Sequence, residues 1–401
     1  MEKLKIGLTC GDLNGIGLEV IIKTFMDNRM LELCTPIVYA SKRTTAEYRR
    51  QLDIKDFSFE EIPSVHQVNP KRACVLNVWK EDVQLQLGTP TAESGKYARL
   101  SLQAAVKDLK EGHIDAIVTA PIDKKNIQGE GFNYPGHTEF LAAEFGAEEH
   151  AMLMLSDQLR ITFMTGHVPL NKVAEGLTFE RLIKRIRFID RIFPSDFGIV
   201  RPRIAVLGLN PHNGDDGVIG TEEREIILPA IRKAKDDGLM VFGPFAADGF
   251  FGSGAFNQFD VVLAMYHDQG LIPFKTMNFD HGVNYTAGLS HVRTSPDHGT
   301  AFDIAGQGVA SEASLRDAVF AAIDLVRARE DHAEWSADPL KQFDLRKLKR
   351  PPGPGGPNKG GKGPNQNQGR PAPQNQPTQS NVQGPEVDVD DADDDMDELE
   401  G

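Results

Sequence analysis

The chain has 401 residues with 44 Lys and Arg against 58 Asp and Glu, a formal charge of −14. Such a surface repels a phosphodiester backbone, which argues against a general nucleic-acid binder. Composition is ordinary for a globular protein, at 40% hydrophobic and 25% charged. No apolar run reaches the ~18 residues that would cross a bilayer, and no apolar stretch of signal-peptide type follows Met1, so the cytoplasm is expected. Cys10, Cys34 and Cys74 lack C-x-x-C spacing, which favours buried thiols over a disulfide framework or a cysteine zinc site.

In chain order, residues 4–9 (LKIGLT) read as a strand, 17–27 as a helix, 37–40 as a strand and 92–111 as a long amphipathic helix. Residues 114–120 read as a further strand, followed by an irregular stretch over 121–136. Strands then fall at 151–155, 159–165, 203–209 and 261–266, and helices at 178–193, 222–236 and 314–329. This alternation predicts an α/β fold with mostly parallel sheets. The length predicts two lobes with a cleft between them, residues 1–130 with 305–345 and residues 131–304. From Pro351 the chain turns rich in Gly, Pro, Gln and Asn and ends in an acidic run from Glu386. Residues 351–401 therefore read as a disordered tail, carrying 3 basic against 10 acidic residues, or −7 of the total charge.

No G-x-G-x-x-G follows a strand and no G-x-x-x-x-G-K-[ST] occurs, so neither a standard Rossmann site nor a P-loop is expected. GDLNGIG (11–17) joins the first strand to the first helix, either as turn chemistry or as an anion cradle. His167, His212 and His267 each close a predicted strand, where α/β sheets gather ligands. They are either three structural imidazoles or one divalent metal site with an open coordination position. His137 and Thr138, in PGHTE, mark a helix start suited to a phosphate or carboxylate. Asp268, Lys275, Asn284, Arg293, Asp297, His298 and Asp303 make 268–303 dense in polar groups, with Lys275 and Arg293 either gripping an anion or held in structural ion pairs.

Taken in order, GDLNGIG, PGHTE, TGHVPL (165–170), LNPHNGD (209–215), MYHDQGLIPFK (265–275), VNYTAGL (283–289) and RTSPDHGTAFDIAG (293–306) resemble the 4-hydroxythreonine-4-phosphate dehydrogenase family of vitamin B6 (pyridoxal 5'-phosphate) biosynthesis. DHGTAFDIAG also resembles the cofactor region of isocitrate and isopropylmalate dehydrogenases, which implies their two-lobed fold. The resemblance implies an oxidoreductase that oxidises the C3 hydroxyl of 4-phosphooxy-L-threonine with NAD, followed by decarboxylation to 3-amino-2-oxopropyl phosphate. It implies metal ligands His167, His212 and His267, shared between the subunits of a homodimer. Zinc comes first as the metal, with magnesium or cobalt as alternatives. His137, Thr138, Lys275, Asn284 and Arg293 would bind the phosphorylated substrate, and Gly299 and Thr300 would lie near NAD. Lys275 or Asp248 would assist proton transfer. Two alternatives keep separate standing: a paralogue acting on 4-phospho-D-erythronate or 4-phosphothreonate, and a phosphate acyltransferase of related fold. The chain departs from the common family form at Leu13-Asn14, where that form has Pro-Ala, and around 249–259.

Overall fold

A computed structural model describes residues 3–338 of the chain. The tail expected over 351–401 lies outside the described residues. Twelve strands form one sheet: β1 Leu4–Thr9, β2 Cys34–Ala40, β3 Glu60–Ile62, β4 Cys74–Asn77, β5 Ala116–Thr119, β6 Ala151–Leu155, β7 Arg160–Thr165, β8 Ile204–Leu207, β9 Val241–Phe245, β10 Val261–Tyr266, β11 Val283–Ala287 and β12 Val292–Pro296. Their order across the sheet is β3-β4-β2-β1-β5-β12-β11-β6-β7-β10-β8-β9.

The α/β fold with mostly parallel pairing is as the sequence predicts. The pairings also show what periodicity cannot, the sense of each strand. β3, β4, β2, β1, β5 and β12 run parallel to one another. β11 is antiparallel to both β12 and β6, and β6 is antiparallel to β7. The next block, β7-β10-β8-β9, is again parallel, but each reversal adds up so that it runs against the first block. The histidines that follow β7, β8 and β10 therefore do not share a common sheet edge with the ends of β1 and β5. Two parallel blocks of opposite sense meet at β11 and β6, and the site forms near that join.

Local chemistry explains the elements around it. β1 alternates against two faces, with Ile6 and Leu8 fully buried, as a central parallel strand requires. Helix Ala92–Lys110 starts at a capping box, in which the Thr91 hydroxyl accepts from Ser94 N and the Ser94 hydroxyl serves Thr91 N, worth about 1 kcal/mol. Helix Phe179–Phe197 starts on Thr178 and stops at Gly198, which holds φ 66° in the left-handed region. Gly11, at φ 67°, lets the chain leaving β1 approach the strand next to it. A Cβ there would sit 2.4 Å from the Pro121 carbonyl, so the turn admits no side chain. A buried polar knot ties the far face together: Tyr285 on β11 donates at 2.5 Å to Asp196, and Arg329 of helix Ala313–Ala337 donates to both at 2.8 Å.

Candidate active site

The most telling group lies where β5, β12 and β11 adjoin. Arg293 on β12 pairs in register with Ile117 of β5, and its guanidinium reaches along that face to the end of β5. Nε and Nη2 donate to the Thr119 hydroxyl at 3.0 and 2.7 Å, and Nη1 donates to the Thr286 hydroxyl at 2.9 Å. Nη2 also lies 3.4 Å from His137 Nδ1. Only 3% of Arg293 is exposed, and no carboxylate forms an ion pair with it among the described residues. Burial pushes its pKa down to about 10, against a weak upward pull from Glu139. A buried cation served only by neutral acceptors has the chemistry to pair with an anion.

His137 completes this site. It opens helix His137–Glu144, whose N-cap Gly136 supplies no side-chain cap. Burial first, then Arg293 and Lys124, hold its pKa well below 6.5, so the imidazole is neutral. Arginine can only donate, so Nδ1 accepts and the proton sits on Nε2. Nε2 is buried and has no partner, which leaves a donor aimed at a missing acceptor. Thr138 follows, half-buried, at the same helix end. Asn284, two residues before Thr286 on the same face of β11, likewise has a buried, unpartnered Oδ1.

Beyond this pocket lie two histidines. His167 and His267 rings approach to 5.3 Å between centroids. His267 Nδ1 is 2.7 Å from Asp268 Oδ1, a contact that orients the ring and leaves Nε2 free for another partner. Partial burial lowers the His167 pKa, with Lys124 and His267 adding to it, so this ring is predominantly a lone-pair donor at neutral pH. Two imidazoles with available nitrogens fit a divalent cation. His212 stands apart, exposed, in a turn where His212 to Asp216 all hold positive φ. Among the described residues the three histidines do not come together as a ligand group. The donors that do are Asp108, Glu111 and His113, at the end of helix Ala92–Lys110. There His113 Nδ1 lies 3.5 and 3.4 Å from the two carboxylates at the helix end, and no sequence motif points to it.

Lys275, on helix His267–Asn278, donates to the Asp297 carbonyl at 3.1 Å and lies 3.4 Å from its carboxylate. Burial raises the Asp297 pKa while Lys275 and His267 pull it down, which ties this pair to the histidines. Asp248 is exposed, and no hydrogen bond or ion pair among the described residues joins it to the group. The loop after β12 carries Gly299 and Thr300. Thr300 O accepts from Ile16 N at 3.0 Å, so the loop is docked on the GDLNGIG turn. Open space surrounds the position a Gly299 Cβ would take. Next to it, His298 Nδ1 donates to Gly299 O at 3.0 Å, leaving Nε2 a buried acceptor without a partner. An open backbone edge beside an orphaned acceptor fits the hydroxyl and amide groups of a dinucleotide.

Sequence reading passed over Thr119, Thr286 and Lys124, and gave His298 and Glu139 no role. Lys124 acts on both His137 and His167, and Glu139 on His167 and Arg293, so the two link the pocket to the histidine pair. Thr119 ends a short apolar strand, and only its pairing with β12 reveals it.

A profile of the family described as "Pyridoxal phosphate biosynthetic protein PdxA" matches residues 32–322. The chain is 46% identical over 342 residues to a 4-hydroxythreonine-4-phosphate dehydrogenase of Bacteroides thetaiotaomicron, covering 85% of this chain and 94% of that one. It is 40% identical over 330 residues to a protein of Oceanobacillus iheyensis named "Putative D-threonate 4-phosphate dehydrogenase", covering 81% and 98%. The crystal structure of 4-hydroxythreonine-4-phosphate dehydrogenase from Klebsiella pneumoniae superposes with a TM-score of 0.70 at 34% identity, covering 81% of this chain and 99% of that chain. With the family profile spanning most of its length and relatives this similar, the chain belongs to the PdxA family of pyridoxal phosphate biosynthetic proteins, and is a dehydrogenase of that family.

Proposed function

We propose that this chain oxidises 4-phosphooxy-L-threonine at C3, with NAD and a divalent metal, and that decarboxylation to 3-amino-2-oxopropyl phosphate follows. One observation carries the reading: the buried Arg293 guanidinium without a counter-anion, beside a neutral His137 whose Nε2–H has no acceptor. Together with Thr138 and the N-terminus of helix His137–Glu144, these groups would bind the phosphorylated acid. Asn284 Oδ1 would accept from a hydroxyl or amino group of the substrate. Lys275 holds a proton at Nζ beside Asp297 and is the better placed of the two proton-transfer candidates, since Asp248 stands exposed and apart. His167 and His267 would hold the metal, and Gly299 and Thr300 would lie against NAD. Polarising the C3 hydroxyl and accepting the hydride are what a divalent metal and NAD supply when bound. Zinc suits a histidine ligand set, with magnesium or cobalt as the alternatives.

His212 enters the reading through a homodimer, in which a second copy completes the ligand set. Support comes from exposed apolar residues on the segments that carry the three histidines: Leu170 at 72%, Val218 at 84%, Ile272 at 65% and Phe279 at 79%. The reversal of strand sense between β5-β12 and β7-β10 supports two lobes, but β12, which falls within residues 131–304 of the expected second lobe, pairs with β5 of the first lobe, residues 1–130 with 305–345. Three unpaired, buried cysteines suit a reducing cytoplasm, and among the described residues no helix is long and apolar enough to cross a membrane.

The test is NAD reduction by the purified, metal-loaded protein with 4-phosphooxy-L-threonine, 4-phospho-D-erythronate and D-threonate 4-phosphate side by side. Turnover highest on the first is expected. A preference for the third would favour the second reading, which the Oceanobacillus relative supports. Inactivity on all three would refute the dehydrogenase chemistry proposed.

A further inference from the structure

The segment between β4 and helix Ala92–Lys110 contains no helix or strand, yet residues 84–91 are held in place. The fastener is Asn14, only 1% exposed. Its Nδ2 donates to Thr89 O at 2.8 Å and to the Thr91 hydroxyl at 3.1 Å, and its Oδ1 accepts from Gln86 N at 2.9 Å. Its backbone carbonyl accepts from Gly88 N at 2.9 Å. One buried side chain thus substitutes for the backbone ladder that an irregular segment lacks.

What this strap covers gives it a role. A Cβ on Gly306 would lie 3.0 Å from the Leu87 side chain, and one on Gly88 would lie 3.0 Å from Phe302 O, so the strap rests on the 299–306 loop. From the other side Ile16 N donates to Thr300 O, and Gly15, whose carbonyl accepts from Tyr48 at 2.6 Å, packs directly against Thr300. Ala301 is held at φ 43°, a conformation that an L-residue keeps only when its surroundings enforce it. The loop is clamped between two segments, and both clamps run through the turn that Asn14 occupies.

We propose that Asn14 is a positioning residue that, through the 84–91 strap, fixes the Gly299–Thr300 backbone and so sets the affinity for the nicotinamide cofactor. The proposal rests on the assignment of that loop to NAD. Asn14→Ala removes all three side-chain bonds, and Leu87→Ala loosens the strap without touching Asn14. Each variant is examined by NAD titration, by steady-state kinetics in both substrates and by amide exchange in the absence of ligand. Faster exchange is expected at the Gln86 and Ile16 amides, with core strand amides such as those of β1 unchanged. A rise of roughly 3- to 20-fold in the Kd and KM for NAD is expected, the range for residues coupled to a site they do not touch. The kcat and the KM for the phosphorylated acid should stay within about 2-fold by the same reasoning. Faster exchange at Gln86 with an unchanged Kd for NAD would overturn the proposal and leave the assignment of the loop standing. Loss of kcat and of both affinities together would make Asn14 a fold residue only and overturn it as well. If Asn14→Ala does not fold, an unaltered Kd for NAD in Leu87→Ala overturns it alone. Failure of the parent protein to bind any nicotinamide dinucleotide would instead remove the cofactor assignment on which the proposal rests.

Discussion

Replacing Arg293 by Met separates binding from stability. Burial lowers the guanidinium from its ordinary 12.5 to about 10. That fall of about 2.5 corresponds, at about 1.36 kcal/mol per pH unit, to about 3 kcal/mol by which the ligand-free fold disfavours the charge. Because the folded state lowers the pKa of a base, the cost is complete at pH 7 and fades only as pH climbs from about 10 toward 12.5. Methionine fills a similar volume without charge, and the Thr119 and Thr286 hydroxyls lose a donor at about 1 kcal/mol each. The ligand-free Arg293→Met protein should therefore equal or exceed the parent in stability, by about 1 kcal/mol. Binding moves the other way. An anion that relieves the buried charge and accepts even one charge-assisted hydrogen bond loses at least about 3 kcal/mol, roughly 100-fold or more in Kd. Urea unfolding of ligand-free protein, and calorimetric titration with the phosphorylated acid, check the two halves. A variant that binds the acid like the parent, or that unfolds about 3 kcal/mol more easily, would refute the reasoning.

Other outcomes follow from the same geometry. His137 should titrate well below 6.5 and carry its proton on Nε2 at pH 6, as read by nitrogen NMR, and a midpoint near 6.5 would contradict the buried, cation-flanked setting. Asp196→Asn leaves Arg329 facing a neutral group at a nearly buried position. It should cost about 2–3 kcal/mol in urea unfolding, less than a wholly buried pair because a fifth of the Arg329 side chain is exposed, while turnover per folded molecule is kept. Lys275→Met should lower kcat by about 100-fold and Asp248→Asn by less than about 2-fold. The reverse pattern in single-turnover kinetics would move the proton-transfer role to Asp248.

Where the apolar face of a strand is a core face, the sequence was readable to the residue. β1, β6 and β10 fall on 4–9, 151–155 and 261–266, as read from their apolar runs. β11 and β12 escaped the same reading. Their inward residues Thr286, Arg293 and Ser295 are buried and polar, on the face of the proposed anion pocket, so hydrophobic periodicity has nothing to register there. Helix His267–Asn278 was missed for a related reason: it begins on His267 and Asp268 and contains Pro273, residues chosen by the site rather than by helix propensity. The antiparallel strands β11 and β6, and with them the reversal of sense between the two parallel blocks, were out of reach, since period 2 is the same in either direction. The reversal depends on the β6–β7 hairpin, whose short turn lets the Ser156 hydroxyl accept from Leu159 N.

The net charge of −14 and the buried cation are consistent once charge is considered by depth. Exposed acids interact through water and are screened within about 10 Å at ordinary ionic strength. The Arg293 guanidinium is buried on β12, and among the described residues its hydrogen-bonding partners are Thr119, Thr286 and His137, none of which can neutralise it. A carboxylate placed there would satisfy the charge, stabilise the empty protein and leave no reason for a ligand to bind. By offering hydroxyls and a neutral imidazole instead, the fold keeps the guanidinium oriented but uncompensated, so the affinity for an anion is stored as a cost to the ligand-free state. The acidic surface then acts only on approach, slowing encounter at low salt without weakening the complex once formed. Raising ionic strength should accordingly increase the association rate of the phosphorylated acid and leave its dissociation rate nearly unchanged. Stopped-flow kinetics showing the opposite partition would place the dominant charge outside the pocket.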